Sequence, residues 1–385
     1  METVICMDNK RRVVVVGDGM SGLTVANKLR LRTSPANNEI VVIGTSPRHF
    51  FKPDGLLIPF NMKEYSKSLK STRFLLHNSI VYLHDEAVKI NIEQRSVLLR
   101  SGKTEVYDYL IISTGAVYSP EILPGYEGEG KHFEDLQHAL ELKNILERFN
   151  GGNIVVASPE GENQCPPYTF QFSILLDEYL KKRGIREKSK ISLLIPFKTI
   201  LPPVDEYKIA EDILSQHGVE LQTNFQVNSI SEKNHEVVSK SGEHANYTLL
   251  VMVPPHRGQH FLVDSGISLD TGYVDVDKVF LNYKDRKEVF AIGDATNLSV
   301  PRTQLTCVKQ ADVVSSIIAK DIGSDFPLSR FNGEASCLSF AGDKKAFSIY
   351  EDYDNKLRVG RINKFDFLIK LMEADTYFSY LVRGM

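Results

Sequence analysis

Residues 13–32 read VVVVGDGMSGLTVANKLRLR. Four consecutive valines suit a strand buried on both faces, as in a parallel sheet covered by helices. Gly17, Gly19 and Gly22 follow at once, in G-x-G-x-x-G spacing. The first glycine permits a tight turn. The second lets backbone approach a pyrophosphate, and the third lets the next helix pack on the strand. Leu23, Val25, Ala26 and Leu29 give that helix an apolar face. Its first amides, around Met20 and Ser21, are placed to hold phosphate oxygens. The order strand, glycine turn, helix predicts an α/β unit that binds a dinucleotide.

The second strand, EIVVIG at 39–44, departs from that fingerprint. Its end normally carries an acid for the adenosine ribose. Here it ends in Gly44, followed by Thr45 and Ser46. Ribose binding is therefore expected from elsewhere, from Ser46 or Arg48.

At 385 residues the chain exceeds one ordinary core. A net charge of −3 gives no basic footprint for nucleic acid. The four cysteines, at 6, 165, 307 and 337, form no C-x-x-C pair. That spacing argues against a disulfide framework, a haem site or a metal site, and leaves isolated functional thiols. No run of 18 apolar residues predicts a transmembrane helix, and METVICMDNKRR lacks the apolar core of a signal peptide.

An internal repeat extends the reading. Ser101, Gly102, Tyr107 and Leu110 recur as Ser241, Gly242, Tyr247 and Leu250, each 140 positions on. The same offset carries Val14–Val16 onto Ile154–Val156, so two copies of one nucleotide-binding unit are expected. It also carries Gly17, Gly19 and Gly22 onto Ala157, Pro159 and Glu162. A proline ring and a carboxylate there oppose phosphate binding, so the second copy is expected to have lost its NAD(P)H site.

Two further segments complete the first copy. YDYLIISTGA carries Ser113, Thr114 and Gly115, and KEVFAIGDATN carries Gly293 and Asp294. An acid at 294 can accept hydrogen bonds from a ribityl chain. Together, G-x-G-x-x-G, STG and IGD resemble the glutathione-reductase-like flavoproteins. That resemblance implies an α/β fold of two Rossmann-like dinucleotide-binding domains with a C-terminal membrane or interface segment, and an FAD cofactor. The expected FAD-binding domain is discontinuous, 1–125 and 285–330. The second, degenerate domain is 126–284, and the C-terminal region is 331–385.

Within that class the cysteines discriminate. NQCPPYTF and GEASCLSFAG resemble the segments of sulfide:quinone oxidoreductases and of the related sulfide dehydrogenase flavoproteins that hold two redox cysteines. The resemblance implies that Cys165 and Cys337 are the catalytic pair, with sulfide and a quinone as substrates. A third cysteine common in that group is missing from KHFEDLQHALEL, so a two-cysteine form is implied. Hydrosulfide attack on a Cys165–Cys337 disulfide gives a persulfide and a thiolate, and two electrons pass to the flavin. Cys307 fits an apolar helix face and reads as core, the alternative being that it replaces Cys337 in the pair. His132 and His138, or Glu160 and Glu162, are candidates for the base. The alternatives are a divergent type II NADH:quinone dehydrogenase and a non-enzymatic flavin-bearing redox sensor.

The segment KFDFLIKLMEADTYFSYLVR, at 364–383, is short, aromatic and interrupted by charges. It suits either packing on a homo-oligomer (dimer) or domain surface or a peripheral membrane surface. In the second case Phe365, Phe367, Leu368, Leu371, Phe378, Tyr380 and Leu381 enter lipid, and Lys364, Lys370 and Arg383 meet headgroups. The resemblance favours the membrane. Phe340, Phe347 and Tyr350 are the candidates to flank a quinone ring.

Overall fold

A computed structural model describes residues 10–158, 167–201, 208–354 and 357–385. The valine run forms β1 (Arg11–Val16), and the glycine turn leads into α1 (Met20–Arg32). Then come β2 (Asn38–Gly44), β3 (Val81–His84) and β4 (Tyr109–Ile112). Between β3 and β4 lies a three-stranded antiparallel meander, Ala87–Asn91, Ser96–Leu99 and Thr104–Val106.

The second unit holds α2 (Leu136–Arg148), β5 (Gly152–Ala157), α3 (Pro167–Lys182) and β6 (Ser189–Leu194). It continues with α4 (Lys208–Gln216), β7 (Val219–Gln222) and β8 (Leu249–Met252). Its strands form a parallel sheet in the order β7-β6-β5-β8. The chain then returns to the first sheet with β9 (Arg286–Ala291) and α5 (Gln304–Asp321). The parallel strands of that sheet run β9-β4-β1-β2-β3.

The valines explain why β1 is central. Val13 and Val15 join α1 and α5 in one core, whereas Val14 and Val16 join the meander in another. All four are buried, each worth about 1.5–3 kcal/mol relative to an exposed position.

The repeat is real, but its register needs a correction. Arg95 and His235 match, each at φ 49°, as do Gly102 and Gly242, each at φ 86°. The first strands do not keep that spacing. The Gly17 amide donates to Ile43 O at 2.8 Å, and the Ser158 amide donates to Leu194 O at 3.1 Å. Ser158, not Ala157, is therefore the counterpart of Gly17, and the second unit is one residue shorter between this strand and the repeated hairpin. Pro159 and Glu162 lie outside the described residues.

The C-terminal region is a hairpin and a helical tail. In β10 (Ala335–Gly342) and β11 (Lys345–Glu351), Gly342 pairs with Lys345. The two residues between, Asp343 and Lys344, both have positive φ, as a tight hairpin turn needs. The hairpin docks on α3, where the Phe340 amide donates to Gln171 Oε1 at 3.3 Å. Next is α6 (Lys364–Leu371), capped by Asn363, whose side chain accepts from the Asp366 amide at 2.8 Å.

The tail then turns back onto the first unit. Asn27 Nδ2 donates to Val382 O at 2.6 Å, and Tyr377 and Phe378 pack with Phe51. Two expected membrane residues are thus in the interior. Phe378 is core, and Lys370 is buried beside Glu373 at 3.2 Å with its ammonium over the Phe340 ring. The exposed apolar residues of α6 and the tail are Phe365, Leu368, Ile369, Met372, Tyr380 and Met385. Among the described residues no helix is long and apolar enough to cross a membrane.

Candidate active site

One cleft of about 690 Å³ joins the three regions. Its first wall is the glycine turn. Gly17 has φ 113°, and a Cβ there would lie 2.3 Å from Ser113 O. A Cβ on Gly22 would lie 1.9 Å from Gly17 O, so only glycine lets α1 close on the turn. Gly19 is different, since a Cβ there would meet nothing within 4 Å. Its open face points the exposed backbone and the start of α1 at the cleft, with no acidic side chain in the first helical turn. That is a cradle for a pyrophosphate.

The second wall comes from β9 and α5. Gly293 has φ 66°, and a Cβ there would fall 2.2 Å from Ser21 Oγ. Its amide donates to Gln310 Oε1 at 2.6 Å. These contacts hold Asp294 at the cleft, with the Arg302 guanidinium bonded to its backbone carbonyl. Thr303 caps α5 by accepting from the Thr306 amide at 3.2 Å, and α5 starts at the cleft. Thr114 Oγ1, behind the turn, is buried without a hydrogen-bond partner among the described residues. An open glycine face, two helix starts, a ribityl-range acid and an orphaned hydroxyl fit FAD.

The third wall carries sulfur. Cys337 sits on β10 opposite Ile349 and lines the cleft. Cys307 also lines it, but burial and the nearby Asp294 charge push its thiol up to about 12. It stays protonated, which suits packing and not exchange. Cys165 lies outside the described residues. The helix expected after it begins at Pro167, and Tyr168, Thr169 and Gln171 near that start line the cleft.

Titratable groups frame these walls. His49 is buried and held down to about 4, first by desolvation. Its Nδ1 lies 3.3 Å from Asp18 O, and its Nε2 lies 2.9 Å from the Tyr377 hydroxyl. A carbonyl only accepts, so Nδ1 carries the proton and Nε2 accepts from Tyr377. His132 stacks on His138 at 3.9 Å and is also lowered to about 4, by burial and then by His138. Asp135 accepts from the His138 amide and ring at 3.0 and 2.7 Å. Burial opposes its charge, but those bonds keep its carboxyl below the usual range. Glu134 meets His256 at 2.9 Å, and both line the cleft.

The expected residues thus divide by place. Gly19, Met20, Ser46, Arg48, Asp294 and Cys337 line the cleft. Gly17, Ser21, Gly22, Thr114, Gly115 and Gly293 shape the turns behind it. Phe340 and Phe347, expected at a quinone, are corrected to core: both are fully buried, and Phe340 stands edge-on to Phe367. Tyr350 is half-buried under Arg358, away from the cleft. Sequence reasoning missed Asp18, His49, Lys370 and Glu373 as cleft residues. The signal for Asp18 was visible as an acid inside a phosphate loop. His49 and Glu373 had none, because only tertiary packing brings them there.

Comparison with known proteins agrees with this construction. The chain is 26% identical to the mitochondrial sulfide:quinone oxidoreductase of Mus musculus, over 98% of this chain and 87% of that protein. It is 24% identical to an alternative NAD(P)H-ubiquinone oxidoreductase of Arabidopsis thaliana, over 79% of this chain and 66% of that protein. The crystal structure of the Aquifex aeolicus sulfide:quinone oxidoreductase superposes with a TM-score of 0.86 at 21% identity, covering 97% of this chain and 92% of that one. The family model for pyridine nucleotide-disulphide oxidoreductases matches residues 11–157 and 178–311, both nucleotide folds and the return strand, and the chain belongs to that family.

Proposed function

We propose that this protein is an FAD-dependent sulfide:quinone oxidoreductase. The observation that carries the reading is the shared cleft: Cys337 faces the same space as the open Gly19 turn and Asp294. The NADH alternative needs a second glycine turn, and the position equivalent to Gly17 is Ser158, its hydroxyl bonded to Thr169 Oγ1 at 2.9 Å. The likeness to sulfide:quinone oxidoreductases spans nearly the whole chain.

In this reading Cys165 and Cys337 form the working disulfide. Hydrosulfide attacks one sulfur, the S–S bond breaks, and the products are a persulfide and a thiolate. Release of the sulfane sulfur and re-formation of the disulfide yield two electrons. FAD held by the Gly19 turn and Asp294 would supply the two-electron relay from this pair to a quinone. The chain's own residues move protons. His132 is buried and neutral, so Glu134 and His256 on the cleft wall are the accessible acceptors for the proton of hydrogen sulfide. At the opposite end Glu373 lines the cleft with its carboxyl raised by burial, although Lys370 opposes the shift. A carboxyl held towards its acid form there supplies a proton to a quinone as it takes up electrons.

The quinone mouth lies where Ile369 and Leu381 line the cleft, next to the exposed face of α6. Phe365, Leu368, Ile369 and Met372 recur at helical spacing on that face. An apolar strip of this kind suits a peripheral membrane surface, from which a lipid-soluble quinone would enter.

The test is flavin bleaching without oxygen. Sulfide is expected to bleach the flavin-loaded protein, and NADH is not. Bleaching by NADH alone would reject the assignment in favour of an NADH dehydrogenase.

A further inference from the structure

Gly44 ends β2, at the position where the dinucleotide fingerprint places its ribose-binding acid. A Cβ at Gly44 would lie 2.1 Å from Asp18 Cγ, 2.2 Å from Asp18 Oδ2 and 2.4 Å from Asp18 Cβ. The Asp18 carboxyl group therefore stands where the side chain of a strand-end acid would begin. Asp18 comes from the glycine turn itself, between Gly17 and Gly19.

The carboxylate is anchored away from the phosphate cradle. Asp18 Oδ2 accepts from the Tyr82 hydroxyl at 2.8 Å and from the Ser46 amide at 3.1 Å. Burial, and then the bond to Asp18, push the Tyr82 phenol well above its ordinary range, so it stays a donor. The Asp18 carbonyl is tied to His49. An acid loose in this turn would repel a pyrophosphate. Fixed here, it lines the cleft half-buried, and no hydrogen bond from the described residues engages Oδ1.

We propose that Asp18 is the acceptor for the adenosine-ribose hydroxyl groups of FAD, an acid moved from the strand end into the glycine turn. Gly44 is glycine because the displaced carboxylate needs its space. Tyr82 and the Ser46 backbone position Asp18; the Ser46 side chain and Arg48 are not the primary ribose ligands. The proposal rests on the FAD assignment and deepens it.

The experiment uses the whole apoprotein and reads ligand competition against FAD fluorescence. The probes are ADP and 2′,3′-dideoxy-ADP, which lacks the ribose hydroxyl groups. Wild type should prefer ADP by roughly 10–100-fold, the range for hydrogen bonds to a charged acceptor. Asp18→Ala should lose that preference, and Asp18→Asn should keep part of it. Tyr82→Phe should reduce it, and serves if Asp18→Ala fails to fold. An unchanged preference in the Asp18 variants, or equal binding of the two probes by wild type, overturns the proposal and leaves the FAD assignment standing. A folded wild-type apoprotein that takes up no FAD overturns both.

Discussion

The two nucleotide folds of this chain share a plan and differ in one turn. Both place a buried parallel strand beside a second strand, and both send the next amide to the same kind of carbonyl. In the first fold that amide belongs to Gly17, at φ 113° and almost touching Ser113. In the second it belongs to Ser158, whose side chain is buried and bonded to Thr169. A strand can be copied with its core. A phosphate turn survives only while its first and third glycines do, because the geometry at Gly17 and Gly22 has no room for a Cβ. Freed from that requirement, the second fold presents the start of α3 to the cleft that Cys337 also lines.

The comparison breaks most sharply at sulfur. Cys337→Ser should cut sulfide-driven flavin bleaching by about 10³-fold or more while flavin stays bound. A wild-type rate in stopped-flow measurement would remove Cys337 from the chemistry. The next effect separates the turns directly. Gly22→Ala should cost about 2–4 kcal/mol in denaturant titrations and yield flavin-free protein, since its Cβ would strike Gly17 O. Ser158→Ala in the second turn should cost only about 1 kcal/mol and keep its flavin. Equal costs would mean that the turns are equivalent.

Acid sharpens the contrast further. His49 and His132 both titrate near 4 in the folded chain, below the ordinary 6.5. The unfolded chain then binds more protons between those values, so stability falls as pH drops from 6.5 towards 4. Each should contribute a loss of about 2 kcal/mol by pH 5. Denaturation at pH 7 and pH 5 should show a smaller difference for His132→Gln than for wild type. A pH-independent wild-type stability would contradict both burials. The smallest effect belongs to α6. Phe365→Ser combined with Met372→Ser should weaken binding to lipid vesicles about tenfold, with sulfide bleaching in detergent unchanged. Vesicle binding at full strength would move the membrane surface elsewhere.

Much of this was legible in sequence for a physical reason. Val13–Val16 and the three glycines are local signals, fixed by strand burial and by backbone contact, so they read correctly without a fold. Asp294 followed from the strand before it. Phe340 and Phe347 misled because an aromatic residue near a cysteine has the same sequence signature whether it packs or faces a ligand. Burial alone separates the two. The one-residue shift at Ser158 was invisible because hydrophobic strands align equally well in adjacent registers. The placement of Asp18 at the cleft and the whole role of His49 needed the fold, since their partners Tyr82 and Tyr377 are distant in the chain.

The hydrogen bond between His49 and Tyr377 has a consequence in time. It steadies the glycine turn through His49, from a tyrosine 328 residues beyond that histidine. At synthesis rates of about 5–20 residues per second, a ribosome needs roughly 16–66 s to travel that distance. For that interval a nascent chain carries its finished valines and glycines with one support of the turn still unmade. Flavin capture in the cell therefore belongs late, after the segment around Tyr377 has emerged, and a chain interrupted before it would compete poorly for cofactor.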